Sequence, residues 1–118
     1  MSFPTRKPPK RKSRKSRYSM KKPETILVGH MMDRLEAEGG WWMKIHGSIF
    51  QIAGVPDIIG CWKGRFIAIE AKMPGNGPSQ IQTEVIKLLS KAGARVGVAY
   101  SVEEALSIRD WVAKLERR

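Results

Sequence analysis

Two apolar segments joined by a dipeptide turn constrain the fold of this chain more than any other feature. Residues 55–61 and 65–72 are rich in β-branched and apolar side chains, and Lys63-Gly64 lies between them. Segments of this kind, separated by two turn residues, are typical of an antiparallel β-hairpin. If Trp62 pairs with Arg65 across the turn, Asp57 lies opposite Glu70.

This register predicts that three ionisable residues share one face of the sheet. Side chains alternate along a strand, so Asp57, Glu70 and Lys72 point to the same side. Apolar residues occur on both faces of the hairpin, which predicts strands covered on both sides and charges that are partly buried. Two opposed carboxylates destabilise a sheet, and burial raises the pKa of at least one of them.

A divalent cation would compensate for the opposed carboxylates, because Mg²⁺ commonly binds one or two carboxylates together with water and substrate phosphate. Lys72 could then orient or deprotonate an attacking water, or stabilise negative charge that develops during a reaction. An ordinary salt bridge between Glu70 and Lys72, with Asp57 reaching solvent, is an alternative that these residues leave open.

Hydrophobic periodicity predicts the elements on either side of the hairpin. A helix begins at Pro23 and stops at Gly39-Gly40, and a strand follows over residues 41–46. After the hairpin, a helix ends at Gly93, a strand covers residues 95–100, and a helix capped by Ser101 and Glu104 runs to the C-terminus. The order helix, three strands, helix, strand, helix predicts an α/β fold with a mixed sheet.

The positive charge of the chain is concentrated at its N-terminus. Of 22 lysine and arginine residues, ten lie within residues 1–22, which contain no acidic residue, so the rest of the chain is nearly neutral. This composition predicts a disordered basic tail over residues 1–22 and one folded domain over residues 23–118. Such a tail typically binds nucleic-acid phosphates, although a solubility or localisation role stays open. The candidate nucleic-acid-binding residues are Lys10, Arg11, Lys12, Arg14, Lys15 and Arg17.

Several other classes of protein are disfavoured. Cys61 is the single cysteine, in a predicted buried strand, so an internal disulfide is excluded, and a reducing cytoplasmic location is expected. No apolar run approaches the roughly 18 residues that cross a bilayer, and the N-terminus lacks the pattern of a secretory signal. Gly75-Asn-Gly77 lacks the Gly-Lys-Ser/Thr end of a phosphate-binding loop, so no nucleotide cofactor is expected.

The charged residues of the hairpin also match a family pattern. Gly54-Val-Pro-Asp57 and Ile69-Glu70-Ala-Lys72 resemble the PD-(D/E)XK nuclease superfamily. More narrowly, residues 23–105 resemble a VRR-NUC (virus-type replication-repair nuclease) domain in its stand-alone, phage-type form. The pattern also includes a glutamate in the first helix, which is Glu24, a loop rich in glycine and proline, and a glutamine that opens the next helix, which is Gln82.

This resemblance implies a restriction-endonuclease-like core and a Mg²⁺- or Mn²⁺-dependent endonuclease that hydrolyses DNA. The implied substrate is branched or structured DNA in replication, repair or recombination, and the implied assembly is a homodimer in a host cell. The implied metal ligands are Asp57, Glu70 and the carbonyl of Ala71. Lys72 would assist the water, and Glu24 and Gln82 would complete the site.

Other functions stay open at this point. A related nuclease could act on duplex DNA or RNA, and a non-catalytic nucleic-acid-binding protein could combine the tail with Trp41, Trp42 and Trp62 as stacking platforms. Tryptophans in or beside strands more often belong to the core. Glu24 could simply be an acid at the favourable positive end of a helix.

Overall fold

A computed structural model describes residues 22–46 and 52–111 of the chain. Among these residues no helix is both long and apolar enough to cross a bilayer. The basic residues 1–21, the segment 47–51 and the predicted end of the last helix, residues 112–118, lie outside the described ranges. The elements are α1 (Pro23–Ala37), β1 (Trp41–Lys44), β2 (Ile58–Trp62), β3 (Arg65–Ala71), α2 (Gln80–Lys91), β4 (Arg95–Ala99) and α3 (Val102–Asp110).

The hairpin has the register predicted from its turn. Lys63 and Gly64 both have positive φ, at 50° and 79°, as a type I′ turn requires, and the twist of this turn matches that of the flanking strands. Trp62 pairs with Arg65 and Ile58 with Ile69. Asp57 precedes the first residue of β2, so it lies just beyond the last paired position of the strand.

The sheet is mixed, as predicted. Its strands lie in the order β1-β2-β3-β4, with antiparallel pairing between β1 and β2 and between β2 and β3. β3 and β4 pair in parallel, with Glu70 opposite Val98. A parallel pair needs a crossover connection, and α2 provides it. This crossover brings the first turn of α2 to the end of β3 where Glu70 lies.

One face of the sheet forms the hydrophobic core. Ile58, Ile67 and Ile69 are fully buried there and pack with Met31 and Leu35 of α1. Ala105 of α3 belongs to the same cluster. Together α1 and α3 cover this face of the hairpin, which leaves the opposite face, with Glu70, for α2.

The predicted coverage of both faces holds near Glu70 and is wrong near the turn. Cys61, expected to be buried, is exposed, and Phe66 beside it is 43% exposed. The reason is the position of α2, which packs mainly against β4 and buries none of its own residues. Leu88 of α2 is 67% exposed, so part of the apolar stripe of this helix faces solvent.

A buried arginine ties the last helix to the turn end of the hairpin. The guanidinium of Arg109 forms ion pairs with Glu38 and Asp110, at 2.9 and 2.8 Å. It also lies 4.4 Å from the ring centroid of Trp62, a cation–π distance. These contacts hold α3 against the turn end of the hairpin, away from Asp57 and Glu70.

Candidate active site

Asp57 is fixed through both its backbone and its side chain. Its carbonyl accepts a hydrogen bond of 2.7 Å from the N–H of Ile45, just after β1. Its Oδ2 accepts a hydrogen bond of 2.9 Å from the N–H of Ala71, the last residue of β3. The carboxyl group is therefore held across the hairpin, with Oδ1 left for another partner.

Glu70 is a buried carboxylate with one oxygen satisfied and one not. Its side chain is 2% exposed, and its Oε2 accepts a hydrogen bond of 3.0 Å from Nε2 of Gln82. The Nζ of Lys72 lies 3.4 Å from the same oxygen. Oε1 is buried and has no hydrogen-bond partner among the described residues. A buried carboxylate oxygen without a partner is costly, so this position calls for a cation or a proton.

The pKa of Glu70 is shifted because its carboxyl is buried beside a second carboxyl with only one lysine near it. Burial raises the pKa of Glu70 to about 7, the negative charge of Asp57 adds to the rise, and Lys72 partly offsets it. When no cation is bound, the Glu70 carboxyl therefore holds its proton to a higher pH than an exposed carboxyl does. A divalent cation would compete with that proton for the same oxygen atoms.

Lys72 is held beside Glu70 by the continuation of β3. Its backbone N–H donates to the carbonyl of Ala99, at 3.1 Å, and its side chain is 15% exposed. The salt bridge between Glu70 and Lys72, considered as an alternative from the sequence, is therefore present. Asp57 lies at the end of the strand and is half-buried, with one carboxylate oxygen bound by Ala71, so the ordinary salt bridge stays open as an alternative.

Gln82 reaches the site from the first turn of α2. Ser79 caps this helix, and Ser79 and Gln82 form a capping box in which each side chain binds the backbone N–H of the other. Ser79 was not among the residues that the sequence predicted for the site. A serine followed three residues later by glutamine, just before an apolar run, is the signature that would have identified it.

The structure does not connect Glu24 to the other candidates. Glu24 is half-buried in the first turn of α1, where the helix dipole favours an acid. Within the described ranges it makes no hydrogen bond or ion pair with Asp57, Glu70 or Lys72. Its role in a catalytic site stays a prediction.

The three candidate tryptophans separate into two groups. Trp42 is 7% exposed and belongs to the hydrophobic core, and Trp62 packs against that core. Trp41 is 60% exposed. Core positions were the more probable assignment from the sequence, and Trp41 is the exception. Trp42 and Trp62 are thus poorly placed to stack on bases.

The donor atoms of the site fit a Mg²⁺-type ion. Across the described residues there is no cluster of three or more histidine, cysteine, aspartate or glutamate side chains that could hold a metal. Mg²⁺ does not need one, since it commonly takes one or two carboxylates and completes its shell with water and substrate phosphate. Asp57 and Glu70 supply two carboxylates, and the buried, unpartnered Oε1 of Glu70 suits a cation.

Comparisons with known proteins bear on the fold of the chain. The sequence matches no protein-family model and no curated protein. Several solved structures match. One of them, described as a VRR_NUC domain, is 24% identical, has a TM-score of 0.62, and aligns with 76% of this chain and 97% of its own. The chain therefore has the fold of this VRR_NUC domain structure, which confirms the predicted α/β fold with a restriction-endonuclease-like core. The resemblance to a VRR-NUC domain is confirmed as a likeness of fold.

Proposed function

We propose that this protein is a metal-dependent endonuclease that hydrolyses phosphodiester bonds in DNA. The observation that carries the proposal is Glu70, a buried carboxylate with an unpartnered Oε1, placed next to Asp57 and Lys72. Within a VRR-NUC fold, this is the arrangement expected of a site that gains a cation together with its substrate. The setting proposed is replication, repair or recombination in a phage or prophage.

Asp57, Glu70 and the carbonyl of Ala71 are the groups that would hold Mg²⁺ or Mn²⁺. Such an ion would lower the pKa of the attacking water and neutralise charge on the scissile phosphate. The bond from Ala71 N–H to Oδ2 of Asp57 orients that carboxyl before any ion arrives. The site is thus partly organised in advance, which reduces the cost of binding.

Lys72 is the group proposed to act on the attacking water or on the developing phosphorane charge. Its ammonium is only 15% exposed and lies beside Glu70, so its charge is weakly screened by solvent. Gln82 holds the Glu70 carboxylate through its carboxamide. Glu24 is retained as a proposed member of the site on the family pattern alone.

DNA with branched or otherwise structured regions is the proposed substrate. The basic residues within residues 1–22 support an interaction with the phosphate backbone, because lysine and arginine gain affinity by releasing condensed counterions. Counterion release does not depend on the DNA sequence. The tail would therefore add affinity, while the folded domain selects the bond to be cut.

A homodimer is also proposed, and exposed apolar side chains support it. Trp41, Met43 and Phe66 are 60%, 43% and 43% exposed, and strand register places them with Cys61 on one face of the sheet. We call these four residues the open sheet surface. Contiguous apolar surface of this kind commonly marks a protein interface.

The proposal is tested by incubating the purified protein with Mg²⁺ or Mn²⁺ and a panel of duplex, flap, splayed and four-way DNA substrates. Cleavage of at least one substrate is expected. Asp57→Ala and Lys72→Ala should fold and bind DNA without cutting, and Lys91→Ala, an exposed lysine outside the site, should cut normally. Full activity in Asp57→Ala or Lys72→Ala would contradict the site assignment. Tight DNA binding by the wild-type protein without any cleavage would favour a non-catalytic binding protein.

A further inference from the structure

We infer that Ser79 is a positioning residue of the site, because it fixes the carboxamide of Gln82 in the orientation that binds Glu70. The inference rests on the proposed function, in which Glu70 is a metal ligand. Ser79 itself touches neither Glu70 nor any reacting group. It acts through Gln82 and through the first turn of α2.

The hydrogen bonds of the capping box determine which way the Gln82 amide points. The backbone N–H of Ser79 donates to Oε1 of Gln82 at 2.8 Å, and Oγ of Ser79 accepts from the backbone N–H of Gln82 at 3.2 Å. A backbone N–H can only donate, so the amide oxygen must face Ser79. The NH₂ group is then directed to Oε2 of Glu70, at 3.0 Å.

Polar contacts also hold Ser79 in place. Its carbonyl accepts hydrogen bonds from the backbone N–H and the Oγ1 of Thr83, at 2.9 and 3.0 Å. The loop before it is joined to the end of β4, because the hydroxyl of Tyr100 donates to the carbonyl of Asn76 at 2.9 Å. Helix α2 has no buried residue, so packing would not replace these bonds if the cap were lost.

Loss of the Ser79 hydroxyl keeps the backbone N–H that binds Oε1 of Gln82, but it removes the bond to the backbone N–H of Gln82 and loosens the first turn of α2. This has a consequence for Glu70. If the Gln82 amide rotates away, Oε2 of Glu70 loses its neutral donor, and Oε1 already has no partner. The carboxylate is then held only by the Lys72 ammonium, 3.4 Å from Oε2, so its rotamer is less strictly fixed. Groups that orient a metal ligand without touching the metal typically contribute 10- to 100-fold to metal affinity.

The experiment compares Ser79→Ala with Ser101→Ala. Ser101 is a matched control, because its side chain also caps a helix by accepting from the backbone N–H three residues later, here Glu104 at 3.1 Å, but at α3. Ser79→Thr keeps the hydroxyl and tests rescue. The measurements are the thermal midpoint, the Mn²⁺ dissociation constant, and the exchange rate of the Gln82 side-chain NH₂ protons by NMR in metal-free protein, with exposed Gln80 as internal reference.

Both alanine variants should lower the thermal midpoint by about 5 °C, as expected for one helix cap. Only Ser79→Ala should raise the exchange rate of the Gln82 side-chain amide to that of Gln80 and weaken Mn²⁺ binding about tenfold. Ser79→Thr should keep the slow exchange and the Mn²⁺ affinity of the wild-type protein. Identical amide exchange and Mn²⁺ affinity in Ser79→Ala and Ser101→Ala would overturn the inference. If Ser79→Ala frees the amide while wild-type protein neither binds Mn²⁺ nor cuts DNA, the positioning role stands and the nuclease proposal fails.

Discussion

The Asp57 side chain accepts a hydrogen bond from the backbone N–H of Ala71, so the residue that precedes β2 is joined to the last residue of β3. This bond engages one carboxylate oxygen, and the proposed function assigns the other to a cation. It also places the Asp57 charge close enough to Glu70 to raise the pKa of Glu70. The two carboxyl groups therefore have different surroundings although both lie on one face of the hairpin.

Replacement of Asp57 by asparagine should lower the pKa of Glu70. The amide oxygen of asparagine can still accept from Ala71, but it carries no charge to repel the Glu70 carboxylate. Asp57→Ala should lower the pKa too, while leaving the Ala71 N–H unsatisfied at a cost of about 1–3 kcal/mol in the free energy of unfolding. Carboxyl ¹³C NMR titration of metal-free protein measures the pKa. An unchanged or higher value in Asp57→Asn would contradict the assigned cause.

The stability of the metal-free protein should fall as pH rises towards neutrality. Because burial raises the pKa of Glu70 from its usual value of 4.5 to about 7, the folded protein binds this proton more tightly than the unfolded chain. The free energy of unfolding should therefore decrease between about pH 4.5 and pH 7, by on the order of 3 kcal/mol, and should level off above that range. Thermal midpoints across pH measure the effect.

Two controls define this pH effect. Glu70→Gln should remove the part of the slope that belongs to this carboxyl, and excess Mg²⁺ should restore stability above pH 7 because it binds the ionised form. A slope that is the same in Glu70→Gln and in the wild-type protein would show that another group causes it.

Gly54→Ala should damage the site more than an alanine at Gly77 or Gly93. Gly54 has a φ of +85°, and a Cβ there would lie 2.8 Å from the carbonyl oxygen of Ile81 in α2. The loop that carries Asp57 and the helix that carries Gln82 would have to separate, so we expect a loss of about 2 kcal/mol or more in stability together with loss of cleavage.

Two other glycines separate the causes of that effect. Gly93 also has a positive φ, +108°, but open space at its Cβ position, and Gly77 has open space without a positive φ. Gly93→Ala should lose only the stability that backbone strain costs and should still cut DNA. Gly77→Ala should match the wild-type protein in stability and cleavage. If Gly54→Ala were no less stable and no less active than Gly93→Ala, the close approach to Ile81 would not matter for the site.

Polar substitutions on the open sheet surface should convert the proposed dimer to a monomer. Phe66→Gln removes a half-exposed ring at one side of this surface, and Trp41→Gln removes another at the opposite side, across Cys61. Sedimentation equilibrium at working concentrations measures the mass. Lys87→Gln on exposed α2 is the control and should leave the mass unchanged. A wild-type protein that sediments as a monomer would contradict the homodimer.

Removal of residues 1–22 should weaken DNA binding and reduce its dependence on salt. Each phosphate contact that is lost lowers the slope of log affinity against log salt by nearly one. The Mn²⁺ affinity of the carboxylates should not change, since the truncation leaves Asp57 and Glu70 intact. Equal DNA affinity and an unchanged salt slope in the truncated protein would favour a solubility role for the tail.

Local chemistry explains why the hairpin could be predicted from the sequence. The turn type and strand alternation depend on neighbouring residues, and they placed Asp57, Glu70 and Lys72 on one face. The predicted capping box at Ser101 is only half correct, because Glu104 accepts from the N–H of Tyr100 and not from that of Ser101. A side chain at this position can reach either donor, and the sequence does not choose between them.

Long-range packing explains what the sequence could not predict. The apolar residues of the hairpin indicated coverage on both faces, but coverage depends on where α2 lies, and it lies along β4. This leaves Cys61 and Phe66 exposed. The approach of Gly54 to Ile81 likewise exists only once the crossover helix has docked. Gln82 was predicted from the family pattern. The orientation of its side chain depends on the capping box with Ser79, which the structure shows.

Because the turn at Lys63-Gly64 is short, the face on which Glu70 lies depends on whether the number of residues between the turn and Glu70 is even or odd. Since side chains alternate along β3, loss of a single residue between Gly64 and Glu70 would rotate the carboxylate into the hydrophobic core beneath α1 and α3. Loss of two residues would keep the face but move Glu70 along the strand. In proteins that share this site, the residues between the turn and the carboxylate should therefore be free to vary in identity. Their number should stay even, or stay odd, so that the carboxylate keeps its face.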